Sequence, residues 1–354
     1  MLMTQRRLAQ LGRRALGWRA ASTHAATQRT SSYLRLVTQT AVVTAAAVSA
    51  ITAAGLFTPE PSPLTTAAAN GDVAEVATLL AAGVSPNATT GRGGAPLLAA
   101  VKRGSEDCVR VLLDAGADPH ATHDGVSMTM LAMLLGHVPI VALLVAADPS
   151  VMTQTSRSSA ANMTPFELAV HQDRPDLVSL FLGAGADANT SIRNSIPILV
   201  YAASRGVQPS VLALLIDAGA NVDAVALPSG RSALYCAARN NNEALVDVLL
   251  AADATVDMCS SDGDTSLAIA AWYGHNGVVT RLIAASADVN HCCTAGISPL
   301  YDAALRRHPD VVATLLEAGA DVHKCTQAGE SVLSAAVTSG HAGVLALVQD
   351  ALQR

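Results

Sequence analysis

The chain has 354 residues, 51% of them hydrophobic, only 3% aromatic and 14% charged, with a formal net charge of -6. Ala alone is about a fifth of the chain, well above ordinary usage; this excludes a charge-rich disordered polymer and argues against an all-β sandwich or barrel, whose strands favour aromatic and β-branched residues. A polytopic membrane protein is excluded too, because a single stretch approaches the ~20 apolar residues that a spanning helix requires.

Residues 1–40 hold seven arginines (Arg6, Arg7, Arg13, Arg14, Arg19, Arg29, Arg35) and no acid; the first carboxylate is Glu60, and the rest of the chain sets 15 bases against 28 acids. An acid-free leader bearing Arg, Ser and Thr reads either as an organellar, mitochondrial-type targeting segment or as a disordered basic tail. Residues 41–57 (AVVTAAAVSAITAAGLF) are uncharged. Three readings fit them: a single transmembrane span, a continuation of the transit peptide, or a soluble helix or linker. Ala and Thr contribute little insertion energy, and the basic region is too long for a secretory signal. If the segment spans, it supplies a membrane contact and leaves the arginines on the cytoplasmic or matrix side. The localisation expected is therefore membrane-associated or mitochondrial, and otherwise cytoplasmic. Residues 58–63 (TPEPSP) read as a Pro-rich extended linker, with a domain over 64–354.

That domain is periodic. Aliphatic pairs recur at Leu79-Leu80, Leu112-Leu113, Leu144-Val145, Phe181-Leu182, Leu215-Ile216, Leu249-Leu250, Leu282-Ile283 and Leu315-Leu316, spaced 33, 32, 37, 34, 34, 33 and 33 residues apart. Most precede a turn such as Gly116-Ala117-Asp118 or Gly319-Ala320-Asp321, in which glycine supplies the left-handed residue that ends a helix. Upstream of the pairs lie short Ala-rich helices (Ala202-Ala203, Ala237-Ala238, Ala270-Ala271, Ala303-Ala304), whose small side chains let helices approach closely. Each unit is then helix, turn, helix and extended loop, and because no unit buries its own apolar face, neighbours must stack. The fold class expected is an all-α solenoid of about eight full helix-turn-helix units and a C-terminal capping unit, with hairpin-like loops.

The pattern resembles the ankyrin repeat. Thr164-Pro165 and Ser298-Pro299-Leu300 match the family's Thr-Pro-Leu, Gly136-His137, Gly274-His275 and Gly340-His341 its Gly-His turn, and Asp288-Val289-Asn290 the end of its unit. Ser or Thr caps the first helix and Pro fits its first turn, while the turn His and the Asp or Asn after the second helix are expected to satisfy loose backbone groups. The units also depart from the motif. Asp148 stands where Gly belongs and about four extra residues follow near 154–159; the fifth unit reads Ser195-Ile196-Pro197-Ile198-Leu199 with an extra residue near Pro209; the last carries Gln349 and Asp350 where the aliphatic pair would continue.

Catalytic and metal chemistry find little support in the sequence. Cys259, Cys292 and Cys325 recur every 33 residues, with Cys293, His291 and His323 close by, but units that repeat at 8–10 Å hold such ligands too far apart for one zinc ion, whose bonds are about 2 Å. Copying of an ancestral repeat explains the ladder, so no metal is expected. Cys108 and Cys236 read as buried thiols. The phosphate-binding loop, HExxH and Gly-x-Ser-x-Gly signatures are absent, and Gly91-Arg92-Gly93-Gly94 reads as a turn between units. The expectation is a non-enzyme without cofactor. Nucleic acid is not an expected partner either, since the repeats are net acidic and Lys102-Arg103 and Arg306-Arg307 are scattered among acids.

The resemblance implies a concave face, lined by the ends of the first helices and the loop tips, that binds other proteins. At those ends the chain reads Ala69-Asn70, Lys102-Arg103, Leu134-Leu135, His171-Gln172, Ser204-Arg205, Arg239-Asn240, Trp272-Tyr273, Leu305-Arg306 and Thr338-Ser339, with Tyr235 and Tyr301 one turn earlier. Trp, Tyr and Arg are the residue types enriched at interface hot spots. Tyr235, Arg239, Trp272, Tyr273, Tyr301 and Arg306 are therefore the candidate binding residues for an unidentified protein partner. For the two tyrosines at 235 and 301, packing within the stack is the competing reading. The alternative function is a single-pass membrane tether with the repeats as a spacer.

Overall fold

A computed structural model describes residues 62–89, 94–155, 163–192 and 195–354. The Arg-rich leader, residues 41–57, most of the Gly91–Gly94 run and the Ser/Thr-rich insertion beyond residue 155 lie outside the described residues. Among the described residues there are eighteen α-helices in nine consecutive pairs. They divide into two compact units, one reaching to Leu131 and the other comprising 132–155 and 163–354. The first contains α1 (Pro63–Asn70), α2 (Val73–Ala81), α3 (Pro96–Arg103), α4 (Glu106–Asp114) and the hairpin β1 (Thr122–His123) to β2 (Val126–Ser127). Helix α5 (Met128–Leu135) follows directly, and then α6 (Val138–Ala147). The second unit continues with α7 (Pro165–His171), α8 (Pro175–Gly183), β3 (Ser191–Ile192), β4 (Ile196–Pro197), α9 (Ile198–Arg205), α10 (Pro209–Asp217), β5 (Val225–Ala226) and β6 (Arg231–Ser232). It ends with the pairs α11 (Ala233–Arg239) and α12 (Glu243–Ala251), α13 (Ser266–Tyr273) and α14 (Asn276–Ala284), α15 (Pro299–Leu305) and α16 (Pro309–Glu317), and α17 (Val332–Ser339) and α18 (Ala342–Gln353).

Most first helices begin where the sequence places a hydroxyl, the exceptions being those after Ala95 and Pro197. Ser62, Thr164, Ser232, Thr265, Ser298 and Ser331 each accept a hydrogen bond from the backbone N–H three residues on, a cap that contributes about 1 kcal/mol. Thr164 and Glu167 complete a reciprocal capping box. Pro63, counted with the linker in the sequence, is instead the first residue of α1, with Ser62 as its cap, because a missing N–H costs nothing at that position. Every first helix ends on a left-handed residue: Gly71, Gly104, Gly136, Gly206, Gly274 and Gly340 in six units, and Asp173, Asn241 and Arg307 in the other three.

Within the second unit, first helices pack on first helices and second on second. The alanine pairs at 237–238, 270–271 and 303–304 are fully covered in these contacts. In the second helices the leading member of each aliphatic pair (Phe181, Leu215, Leu249, Leu282, Leu315) is completely buried, which stabilises by about 1.5–3 kcal/mol per side chain. The departures are local. Asp148 is extended and caps a short 3₁₀ turn, Pro149–Thr153, instead of forming a left-handed stop. The extra residue of the fifth unit is Val207, tucked into the core between Gly206 and α10. Helix α18 runs 12 residues where the other second helices of this unit run 9 or 10. Three of the loops form two-stranded antiparallel hairpins. Among the described residues no helix is long and apolar enough to cross a membrane.

Candidate functional site

Two hydrogen-bond ladders tie neighbouring repeats together. After the second helices, Asn189 donates from Nδ2 to the Gly219 carbonyl (3.0 Å) and accepts from the Asn221 N–H (2.8 Å). Asn290 does the same with Gly319 (3.3 Å) and Asp321 (2.8 Å). In the other compact unit Asn87 makes the equivalent clamp to Gly116 and Asp118. Asp223 and Asp257 occupy this position elsewhere, accepting from the N–H groups of Thr255 and Asp288, and there the turn residue is Asp253 or Ser286 in place of Gly. The hairpin tips are linked as well, by N–H donation from Leu227 to Ser195, Ser261 to Ser229, Thr294 to Asp262 and Gln327 to Ala295 (3.0–3.3 Å). Gly263 sits so close to the next tip that a Cβ would lie 2.7 Å from the Thr294 nitrogen.

The turn histidines anchor the first-helix ends. His275 donates from Nε2 to the carbonyl of Arg239 (3.1 Å), and His308 donates to the carbonyl of Trp272 (3.2 Å). Burial holds the His275 imidazole below its ordinary pKa, and the neighbouring His308 adds to this. His171, whose Nδ1 lies 2.6 Å from the Tyr201 hydroxyl, is lowered by burial and by the charge of Arg205.

The six sequence candidates divide into two groups. Tyr235 and Tyr301 are 4% and 7% exposed and pack within the stack. The Tyr235 ring lies 5.5 Å from the Arg231 guanidinium, and burial pushes its hydroxyl up to about 12. The Tyr301 hydroxyl donates to Glu330 at 2.6 Å. The other four reach the surface. Arg306 is exposed, and its guanidinium stacks over the Trp272 ring at 3.6 Å from the centroid, a cation–π contact. Tyr273, 41% exposed, stacks on His275 with ring centroids 5.7 Å apart and planes at 11°. Arg239 is half-buried one repeat earlier. Sequence reasoning passed over two surface features: Leu227, 66% exposed at a hairpin tip, and Arg307, which takes a left-handed conformation (φ 67°) that disfavours any side chain. The second was legible, since Arg307 replaces the Gly of the Gly-His turn.

The cysteine ladder places thiols beside different neighbours. Cys259 Sγ is 3.2 Å from His291 Nε2, whereas Cys292 Sγ is 3.7 Å from Lys324 Nζ. Burial and the charges of Asp257 and Asp264 raise the Cys259 thiol pKa. All six cysteines are free, and among the described residues no group of three or more His, Cys, Asp or Glu is placed to hold a metal. Cys108 is buried, and Cys236, partly exposed as a residue, has its thiol held up at about 11 by burial.

No curated protein gives a significant match to the chain. The family model for ankyrin repeats matches residues 64–155, 166–262, 199–292, 241–325 and 267–353, and these ranges take in all nine helix pairs. The chain belongs to the ankyrin-repeat family, whose stacks in general mediate protein–protein interaction.

Proposed function

We propose that the chain is a non-catalytic scaffold that captures a protein partner on the face made by its first-helix ends and hairpin tips, the face that is concave in stacks of this family. The observation that carries this reading is the surface cluster of Trp272, Tyr273 and Arg306, with Arg239 one repeat earlier. Large amphipathic side chains left at the surface of a chain with only ten aromatic residues, and held in place by stacking, are the residue types that anchor interfaces. Proximity labelling from the intact chain in cells, compared with a Trp272→Ala/Tyr273→Ala variant, tests the reading. Loss of a discrete labelled set with unchanged circular dichroism and melting supports it; an unchanged labelled set refutes it.

A membrane-anchored tether is a second reading, favoured by the uncharged run at 41–57 directly after the arginine cluster. Carbonate extraction of membranes decides it: retention of the intact chain supports a span, and full release removes it.

A further inference from the structure

We propose that the partner segment is acidic and extended, with carboxylates at about every third residue; this rests on the docking reading above and names its ligand class. Charge is segregated by helix type within repeats five to eight. The second helices of these repeats carry Asp217, Glu243, Asp247, Asp310 and Glu317 against Arg281 alone. The first helices and the turns that follow them carry Arg205, Arg239, Arg306 and Arg307, and their single acid, Asp302, is 3% exposed. The helix dipole does not explain this row. It favours cations at the C-terminus of every helix, yet the second helices α10 and α16 end on Asp217 and Glu317. Backbone sterics do not explain it either, because Arg307 is held at φ 67° where six other repeats use glycine.

The row is built to receive carboxylates. Stacking on Trp272 fixes the plane of the Arg306 guanidinium, whose five in-plane N–H donors outnumber what one carboxylate uses, and a pre-oriented guanidinium binds carboxylates in the bidentate mode. Because Arg306 leans back over Trp272, its charge belongs with the seventh repeat, while Arg239 and Arg205 belong to the sixth and fifth. Repeats spaced by about 8–10 Å are matched by about three residues of extended chain at ~3.3 Å each. An apolar side chain of the segment then meets the exposed ring of Tyr273. A nucleic acid fits less well: its contiguous phosphates would run over a surface whose residues 195–354 carry 15 acids against 8 bases, whereas a short segment with spaced carboxylates engages the arginine row alone.

Fluorescence anisotropy with the full-length protein tests the inference. The probe is a labelled peptide of about twelve residues with Glu at every third position and one Phe, compared with its Gln counterpart. The Glu peptide is expected to bind about tenfold more tightly, and Arg239→Gln and Arg306→Gln to weaken it about fivefold each, as for exposed charge-assisted pairs. Arg354→Gln, at the far terminus, leaves binding unchanged. Equal affinity for the two peptides, no binding, or tighter binding of a DNA duplex overturns the inference. Panning a random peptide library against the wild type and the Trp272→Ala/Tyr273→Ala variant separates the two levels. Enriched peptides that need both aromatics but lack acids overturn the acidic class and leave the docking face standing; peptides indifferent to the double variant overturn the docking face itself.

Discussion

The Asn290 clamp gives the sharpest test of how neighbouring repeats are joined. Asn290→Ala removes the Nδ2 donor to Gly319 and the Oδ1 acceptor for the Asp321 N–H, bonds of 3.3 and 2.8 Å. Each is worth about 0.5–1.5 kcal/mol net. Both are solvent-exposed, so water replaces part of the loss and the variant is expected to cost about 1–2 kcal/mol. Asn290→Asp keeps the acceptor and loses the donor. Asp257 already works in that way at the equivalent position, accepting from Asp288, so the aspartate variant is expected to cost about half as much as alanine, one bond in place of two. Urea unfolding followed by Trp272 emission, in a Trp18→Phe background because the chain holds just these two tryptophans, reports the repeat beside the clamp. Coincident midpoints by circular dichroism check that the array still unfolds cooperatively. An alanine variant within about 0.3 kcal/mol of wild type, inside the scatter of surface substitutions, or an aspartate variant no better than alanine, would refute the reasoning.

Gly263→Ala combines φ 81° with a Cβ placed 2.7 Å from the Thr294 backbone nitrogen; a loss of at least about 2 kcal/mol is expected from strain and the broken tip contact, and a melting temperature equal to wild type would count against it. Stability is expected to fall on acidification. His171 and His275 have folded-state pKa values below the ordinary imidazole value, so the unfolded chain takes up protons first. Their contribution is present above the unfolded pKa of about 6.5 and is lost as pH falls from there through the lower folded-state values. His275→Gln should flatten the pH dependence of the melting temperature between about pH 7 and 5.5, and an unchanged slope contradicts the assignment. In the native protein Cys259 and Cys325, both exposed, should react with a thiol reagent well before Cys108 and Cys236, which become reactive on unfolding; mass spectrometry of partly labelled protein gives the order, and early labelling of Cys236 would contradict its burial.

The helix pairs were legible because their signals are local. A Ser or Thr cap, a following Pro, an aliphatic pair and a left-handed stop all lie within about thirty residues, and each acts through the backbone of its own unit. The clamp position after the second helix was legible in the same way. Whether a tyrosine faces water was not. Tyr301 and Tyr273 are equally amphipathic, but Tyr301 points to a position where the next repeat supplies Glu330, and Tyr273 finds only the flat face of His275 within its own repeat. The hairpin-tip ladder was invisible for a related reason: its donors and acceptors are backbone groups of residues as unlike as Leu227, Ser261, Thr294 and Gln327, so side-chain identity carries no trace of it. The arginine row could be spelled out from the sequence, but its meaning came from the second helices, where the same dipole is met by acids.

The tip ladder also bears on how a guest would be received. Five successive tips, from Ser195 to Gln327, are tied by four backbone bonds that no side-chain rearrangement can loosen. The fingers therefore move together or not at all, and a guest segment meets a wall that is already shaped. The entropy of ordering falls on the guest alone, so affinity is governed by how extended that segment is before it arrives. A proline placed between its contact residues would then strengthen binding, whereas glycine would weaken it, although neither touches the protein through a side chain.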